Sequence, residues 1–204
     1  MMDSILSYLR EQYYPQAVIV YGSYAAGTQE AGSDFDALVI TDRVDMKLHD
    51  TCTIGGVLLD VFVYSPRYLD SLDDLSEIIQ IRDGIVVNDT NGYASQLRAR
   101  VMKYIQSQPK LTVAEKNELC VWCKKMALRA KREDAEGLYR WHWLLTDSLS
   151  IYCELRDVEY LGPKKTLARM RLLDADGYTL YQCALTDRHA LVLWVEYLCA
   201  ATTN

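Results

Sequence analysis

The sequence predicts an α+β protein, with a small mixed sheet and a few helices over residues 1–108 followed by an all-helical bundle over residues 109–204. Short β-compatible apolar runs bounded by turn residues occupy the first half, and apolar positions at helical spacing occupy the second. Ser107-Gln108-Pro109-Lys110 has the composition of a linker between them.

Residues 3–13 read as a helix, with Asp3 able to cap it, Ile5, Leu6 and Leu9 on one face, and Pro15 ending it. Val18, Ile19 and Val20 form a buried strand that stops at Gly22-Ser23. Residues 24–28 offer a short helical turn, residues 29–33 a polar loop, and residues 35–41 a second strand. Within residues 49–64, Gly55-Gly56 separates two β-compatible runs and predicts a hairpin whose second arm contains Asp60. Helical patterning dominates from Pro66 onward, except at residues 84–88, where an apolar triplet between turn residues predicts another strand. Thr112 and Glu115 have capping-box spacing and open the second half. Helical periodicity then covers residues 119–130, 138–155 and 189–198, interrupted at Gly162-Pro163 and at a turn around Asp176-Gly177.

Half of the 204 residues are hydrophobic and a quarter are charged, as in an ordinary globular chain. No stretch approaches the ~18 apolar residues of a membrane span. Asp3, Arg10 and Glu11 stand where a signal peptide would be apolar, so a cytoplasmic location is expected. The net charge of −6 argues against a nucleic-acid partner held by its phosphates. Six cysteines lie in apolar segments without a disulfide framework and are expected as buried free thiols. Cys120 and Cys123 have the spacing of half a zinc site, but no second close pair follows.

The chemistry concentrates in Gly22-Ser23, ten intervening residues, and then Asp34-Phe35-Asp36. Gly22 permits a sharp turn and close approach to a ligand, while Ser23 offers a hydroxyl and an amide suited to a phosphate. Asp34 and Asp36 are two apart on a predicted strand, so their carboxylates share a face and Phe35 points to the core. Hard oxygen ligands of this kind suit magnesium completed by substrate phosphates. Asp60 interrupts the apolar run at residues 57–63, where a carboxylate needs a compensating cation or donor. It is the natural third acid of a site with two ions ~3.5–4 Å apart, or the acceptor of a proton.

This combination resembles the DNA polymerase β-like nucleotidyltransferase superfamily over about residues 18–63. The later helices, with Tyr152, Arg156 and Tyr160-Leu161-Gly162-Pro163-Lys164, resemble the substrate domain of kanamycin- and lincosamide-type antibiotic nucleotidyltransferases. The resemblance implies a bilobal enzyme in which Gly22 and Ser23 grip the triphosphate and Asp34 and Asp36 hold two Mg2+ ions. Asp60 would be the third ligand or the base, and Ser33 and Lys164 would contact phosphates. ATP or another NTP would donate AMP to a hydroxyl of a small molecule such as an aminoglycoside- or lincosamide-like antibiotic. A homodimer in which both protomers line one site is a further implication. Many relatives carry Arg where this chain has Ala25-Ala26, which leaves base preference open. Two alternatives are a protein-AMPylating enzyme of antitoxin type and a non-catalytic nucleotide-binding regulatory module.

Outside the motif, Lys165 is a lesser phosphate candidate. Glu133, Asp134 and Glu136, or Asp147 and Glu154, are candidate contacts for a cationic acceptor. The aromatic run Tyr139, Trp141, His142 and Trp143 is expected chiefly to pack.

Overall fold

The structure, a computed structural model, describes residues 1–200 and divides the chain into two compact units, Met1–Gln108 and Pro109–Asn204. In the first unit the strands are β1 (Ala17–Val20), β2 (Phe35–Ile40), β3 (Lys47–Asp50), β4 (Thr53–Ile54), β5 (Val57–Tyr64) and β6 (Ile85–Asp89). The sheet order is β3-β5-β2-β1-β6, and β4 extends the β3–β5 hairpin. Only β2 and β5 pair in parallel; the other pairings are antiparallel, so the sheet is mixed as expected.

Strand alternation assigns the two faces. Val18, Val20, Phe35, Ala37, Val39, Leu59, Val61 and Val63 turn to one side, against Ile5, Leu6 and Leu9 of α1 (Met2–Tyr13). Ile19, Leu38, Ile40 and Tyr64 turn to the other, against Ile78 and Ile81 of a 3-10 helix (Ser76–Asp83) and Leu97 and Val101 of α4 (Tyr93–Ser107). Between these lie the short helices α2 (Gly22–Ala26) and α3 (Pro66–Asp70), the latter capped by Ser65. Asp3 does not cap α1. The helix starts one residue earlier, and Asp3 sits in its first turn, where a negative charge favours the helix dipole. The chain leaves α1 through Tyr14 in left-handed conformation, immediately before Pro15.

The predicted hairpin forms around Gly55-Gly56, both at positive φ, as a two-residue connection requires. Its first arm is broken, because Thr51 and Cys52 separate β3 from β4. The register nevertheless runs through unchanged, from Ile54 opposite Val57 to Lys47 opposite Tyr64.

The described residues of the second unit are helical: α5 (Val113–Arg129), α6 (Ala135–Leu155), α7 (Pro163–Leu173), α8 (Ala175–Thr186) and α9 (Arg188–Ala200). Thr112 and Glu115 form the expected capping box. The core centres on fully buried Trp194, whose indole N–H donates to Ser148 Oγ and whose ring meets Tyr152 and Tyr181. The expected turn at Asp176-Gly177 lies earlier. Asp174 accepts from the Gly177 amide and caps α8, which places both residues inside the helix. Cys120, Cys123, Cys153 and Cys199 are buried thiols, whereas Cys52 is half-buried and Cys183 is exposed, contrary to the expectation for all six. Among the described residues, no helix is long and apolar enough to cross a membrane.

Candidate active site

Parallel pairing places Asp36 of β2 directly opposite Asp60 of β5. Both occupy the rows that continue as Leu38 and Ile40 on one strand and Phe62 and Tyr64 on the other. The two acids therefore stand on the face covered further along by the 3-10 helix and α4. Asp34 is exposed, one residue before β2, so it guards the strand's entrance without belonging to it. Phe35 between them is fully buried on the α1 side and meets Tyr24 edge-on, as the alternation predicts.

Gly22 closes the other side. It has φ +67, and a Cβ built there would lie 2.1 Å from Asp36 Oδ2. A side chain at this position is thus excluded twice, by backbone conformation and by the carboxylate it would strike. Tyr21, just before it, donates its amide to Asp36 O and continues the β1–β2 ladder. Ser23 is half-buried in the first turn of α2.

The electrostatics match this crowding. Burial, then the charges of Asp60 and Asp34, pushes the Asp36 carboxyl from 3.8 up to about 6. The Tyr21 phenol is pushed up to about 12 by burial and by the charges of Asp60 and Asp36, with Gln80 pulling the other way. The site carries an excess of negative charge. Its acids do not close around one point: among the described residues, no group of three or more His, Cys, Asp or Glu encloses a metal position. The donors are hard and open to solvent, which fits an ion whose remaining ligands are waters and substrate phosphates.

Sequence reasoning passed over His49. Its Nε2–H donates to Asp60 Oδ1 at 2.6 Å, and its ring stacks on Phe62 at 4.3 Å with an interplanar angle of 1°. The signal was present in the hairpin, because a two-residue turn at Gly55-Gly56 puts His49 opposite Phe62, beside Asp60 on the same face.

Ser33 Oγ accepts from the Glu30 amide and ties the polar loop together. Lys164 is exposed in the first turn of α7, in the second unit. Asp134 caps α6, and Arg132 pairs with both Asp134 and Glu136, so that acidic turn is neutralised locally. Burial raises Glu154 above the usual carboxylate range. The aromatic run packs within its own unit: Trp141 donates to Ala184 O, and Trp143 meets Trp122 edge-on. A cavity of about 640 Å³ lined by Asp42, Asp45, Ser65, Arg67 and Tyr68 lies past the C-terminal ends of β2 and β5. It is away from the Asp36–Asp60 row, and size alone does not make it the reacting site.

Residues 2–105 match the nucleotidyltransferase domain family. The chain belongs to that family. This nucleotidyltransferase is therefore an enzyme that transfers nucleotidyl groups, and the acid row of β2 and β5 falls inside the matched region. No curated protein matches the chain. A solved structure of a nucleotidyltransferase-like protein from Exiguobacterium sibiricum 255-15 is similar at 14% identity and a TM-score of 0.42, covering 97% of this chain and 74% of that one.

Proposed function

We propose that this nucleotidyltransferase moves a nucleoside monophosphate, AMP in the first instance, from an NTP to a hydroxyl of a small polyhydroxylated molecule of aminoglycoside or lincosamide type. The observation that carries this reading is the Asp36–Asp60 pairing across parallel strands, with Asp34 at the entrance and Gly22 against Asp36. Asp34, Asp36 and Asp60 would hold Mg2+, which when bound neutralises phosphate charge and favours departure of pyrophosphate.

Gly22 lets the backbone lie against Asp36, and Ser23 presents its hydroxyl and amide to the triphosphate beside the carboxylates. The acceptor oxygen attacks the α-phosphorus in line; the new P–O bond forms as the bond to the β-phosphate oxygen breaks, and pyrophosphate leaves. With Oδ1 held by His49, Asp60 offers Oδ2 alone, as the third ligand to the ion or, where Asp34 and Asp36 suffice to hold it, as the base that receives the acceptor's proton. The helical unit takes the acceptor-binding role in this reading. The acidic chain favours a cationic or neutral acceptor over a polyanion. Lys164 is a proposed phosphate contact, the cytoplasm the proposed location, and a homodimer the proposed assembly.

The test is pyrophosphate release with Mg2+ and each ribonucleoside triphosphate against aminoglycosides, lincosamides and simple sugars, with Asp36→Ala as control. Release that requires one acceptor and disappears in the variant supports the reading. Nucleotide binding without release on any small acceptor refutes the small-molecule assignment and directs attention to a protein acceptor.

A further inference from the structure

The Asp60 side chain reaches solvent from within β5, and a carboxylate so placed ordinarily rotates freely between solvent and its neighbours. Here one oxygen is taken. β3 is the edge strand of the sheet, and the continuous register from the Gly55-Gly56 turn delivers His49 opposite Phe62, one pleat from Asp60 on the same face. The imidazole lies flat on Phe62, which limits its ring rotation, and its Nε2–H meets Asp60 Oδ1 at 2.6 Å.

Stability does not explain this arrangement. The side chains of His49 and Asp60 are 45% and 41% exposed, and ion pairs in that setting contribute ~0–1 kcal/mol. What the pair does accomplish is directional. With Oδ1 occupied and its partner ring fixed by Phe62, the carboxylate next to Asp36 keeps a single free oxygen, Oδ2, in a defined place.

We propose that His49 is a positioning residue for nucleotidyl transfer, holding Asp60 in one orientation beside Asp36 so that one oxygen is presented to the ion or proton it serves. The inference rests on the proposed role of the carboxylates, and deepens it by adding a partner from the edge strand. Groups that orient metal-binding side chains in this way typically change metal affinity by about 10–100-fold when removed.

The experiment measures Mn2+ binding by electron paramagnetic resonance, with and without a non-hydrolysable α,β-methylene analogue of ATP, so no acceptor is needed. Two substitutions separate donor from stack. His49→Gln keeps a side-chain N–H at comparable reach and gives up the ring; His49→Phe keeps a flat ring on Phe62 and removes the donor. Asp60→Asn and Asp36→Asn serve as controls, and circular dichroism with thermal melts checks that every variant folds. Positioning predicts that His49→Phe weakens Mn2+ about tenfold or more, as Asp60→Asn does, while His49→Gln stays within about threefold of the native protein. Native-like Mn2+ affinity in His49→Phe alongside weakened binding in Asp60→Asn overturns the role of His49 and leaves the carboxylate reading standing. Native-like affinity in both Asp60→Asn and Asp36→Asn overturns the carboxylate reading, and His49 falls with it.

Discussion

Replacing Asp36 with Asn should stabilise the ligand-free protein. Asp36 ionises at about 6 where an unhindered Asp does so at 3.8, so its charge is held at a cost in the fold. About two units at ~1.4 kcal/mol each sets an upper bound of ~3 kcal/mol. The site is open to solvent, and screening reduces the expected gain to ~1 kcal/mol. For a chain of this size that is ~2–4 °C in melting temperature. The sign depends on pH. The folded carboxyl keeps its proton up to about 6 while the unfolded one has lost it, so native stability from this group falls as pH rises from about 4 to 6. The gain in Asp36→Asn is accordingly absent below pH 4 and complete above 6. Calorimetry in chelator across that range, at low and high salt, reads it directly, with the part of the gain that comes from Asp60 and Asp34 shrinking as salt increases while the part from burial persists. A variant that melts below the native protein at pH 7.5 would refute the reasoning, since it would mean that Asp36 makes compensating bonds worth more than the cost of its burial and of its repulsion by Asp60 and Asp34.

Gly22→Ala should unfold the entrance to the site, because the added carbon meets Asp36 Oδ2 and the φ of +67 is itself strained for a side chain; a loss of ~1–3 kcal/mol is expected in chemical denaturation, with nucleotide binding lost as well. Asp50 behaves oppositely to Asp36. Burial would raise it, but the Cys52 amide and the Tyr13, Cys52 and Tyr8 side chains hold it below the usual carboxylate range, so its stabilisation is present at neutral pH and lost as pH falls below that range. Asp50→Ala should thus lower the melting temperature at pH 7 and flatten its decline in acid. Trp194→Ala should cost ~3–5 kcal/mol, read as melting of the helical unit's circular dichroism signal, because the side chain is fully buried and its indole satisfies Ser148.

The strands of the first unit were legible as short apolar runs bounded by turn residues, and the spacing of two set Asp34 and Asp36 to one side of Phe35; that Asp36 and Asp60 share a face follows from the register of β2 on β5. Which strand would adjoin β2 was not legible, since parallel pairing leaves no local trace in the chain. His49 was half-legible. The turn specified what it would face, but a hydrogen bond to Asp60 and a stack on Phe62 depend on side-chain rotation that spacing does not encode. The turn expected around Asp176-Gly177 was misplaced because Asp174 accepts from the Gly177 amide and draws both residues into α8. Ser33 and Lys164 were named through the resemblance and not through spacing: Ser33 Oγ accepts from the Glu30 amide within its loop, and Lys164 stands in the first turn of α7.

The Gly55-Gly56 turn acts as a gauge. β5 cannot slide, because Leu59, Val61 and Val63 are seated in the core beneath it, so one residue added to the turn would be absorbed by the edge strand. Every side chain of β3 would then change sides, carrying His49 to the opposite surface and leaving Asp60 free to swing. A loop that touches no reacting atom thereby sets the aim of one that does, and the length of that turn is as much a part of the enzyme's chemistry as the acids themselves.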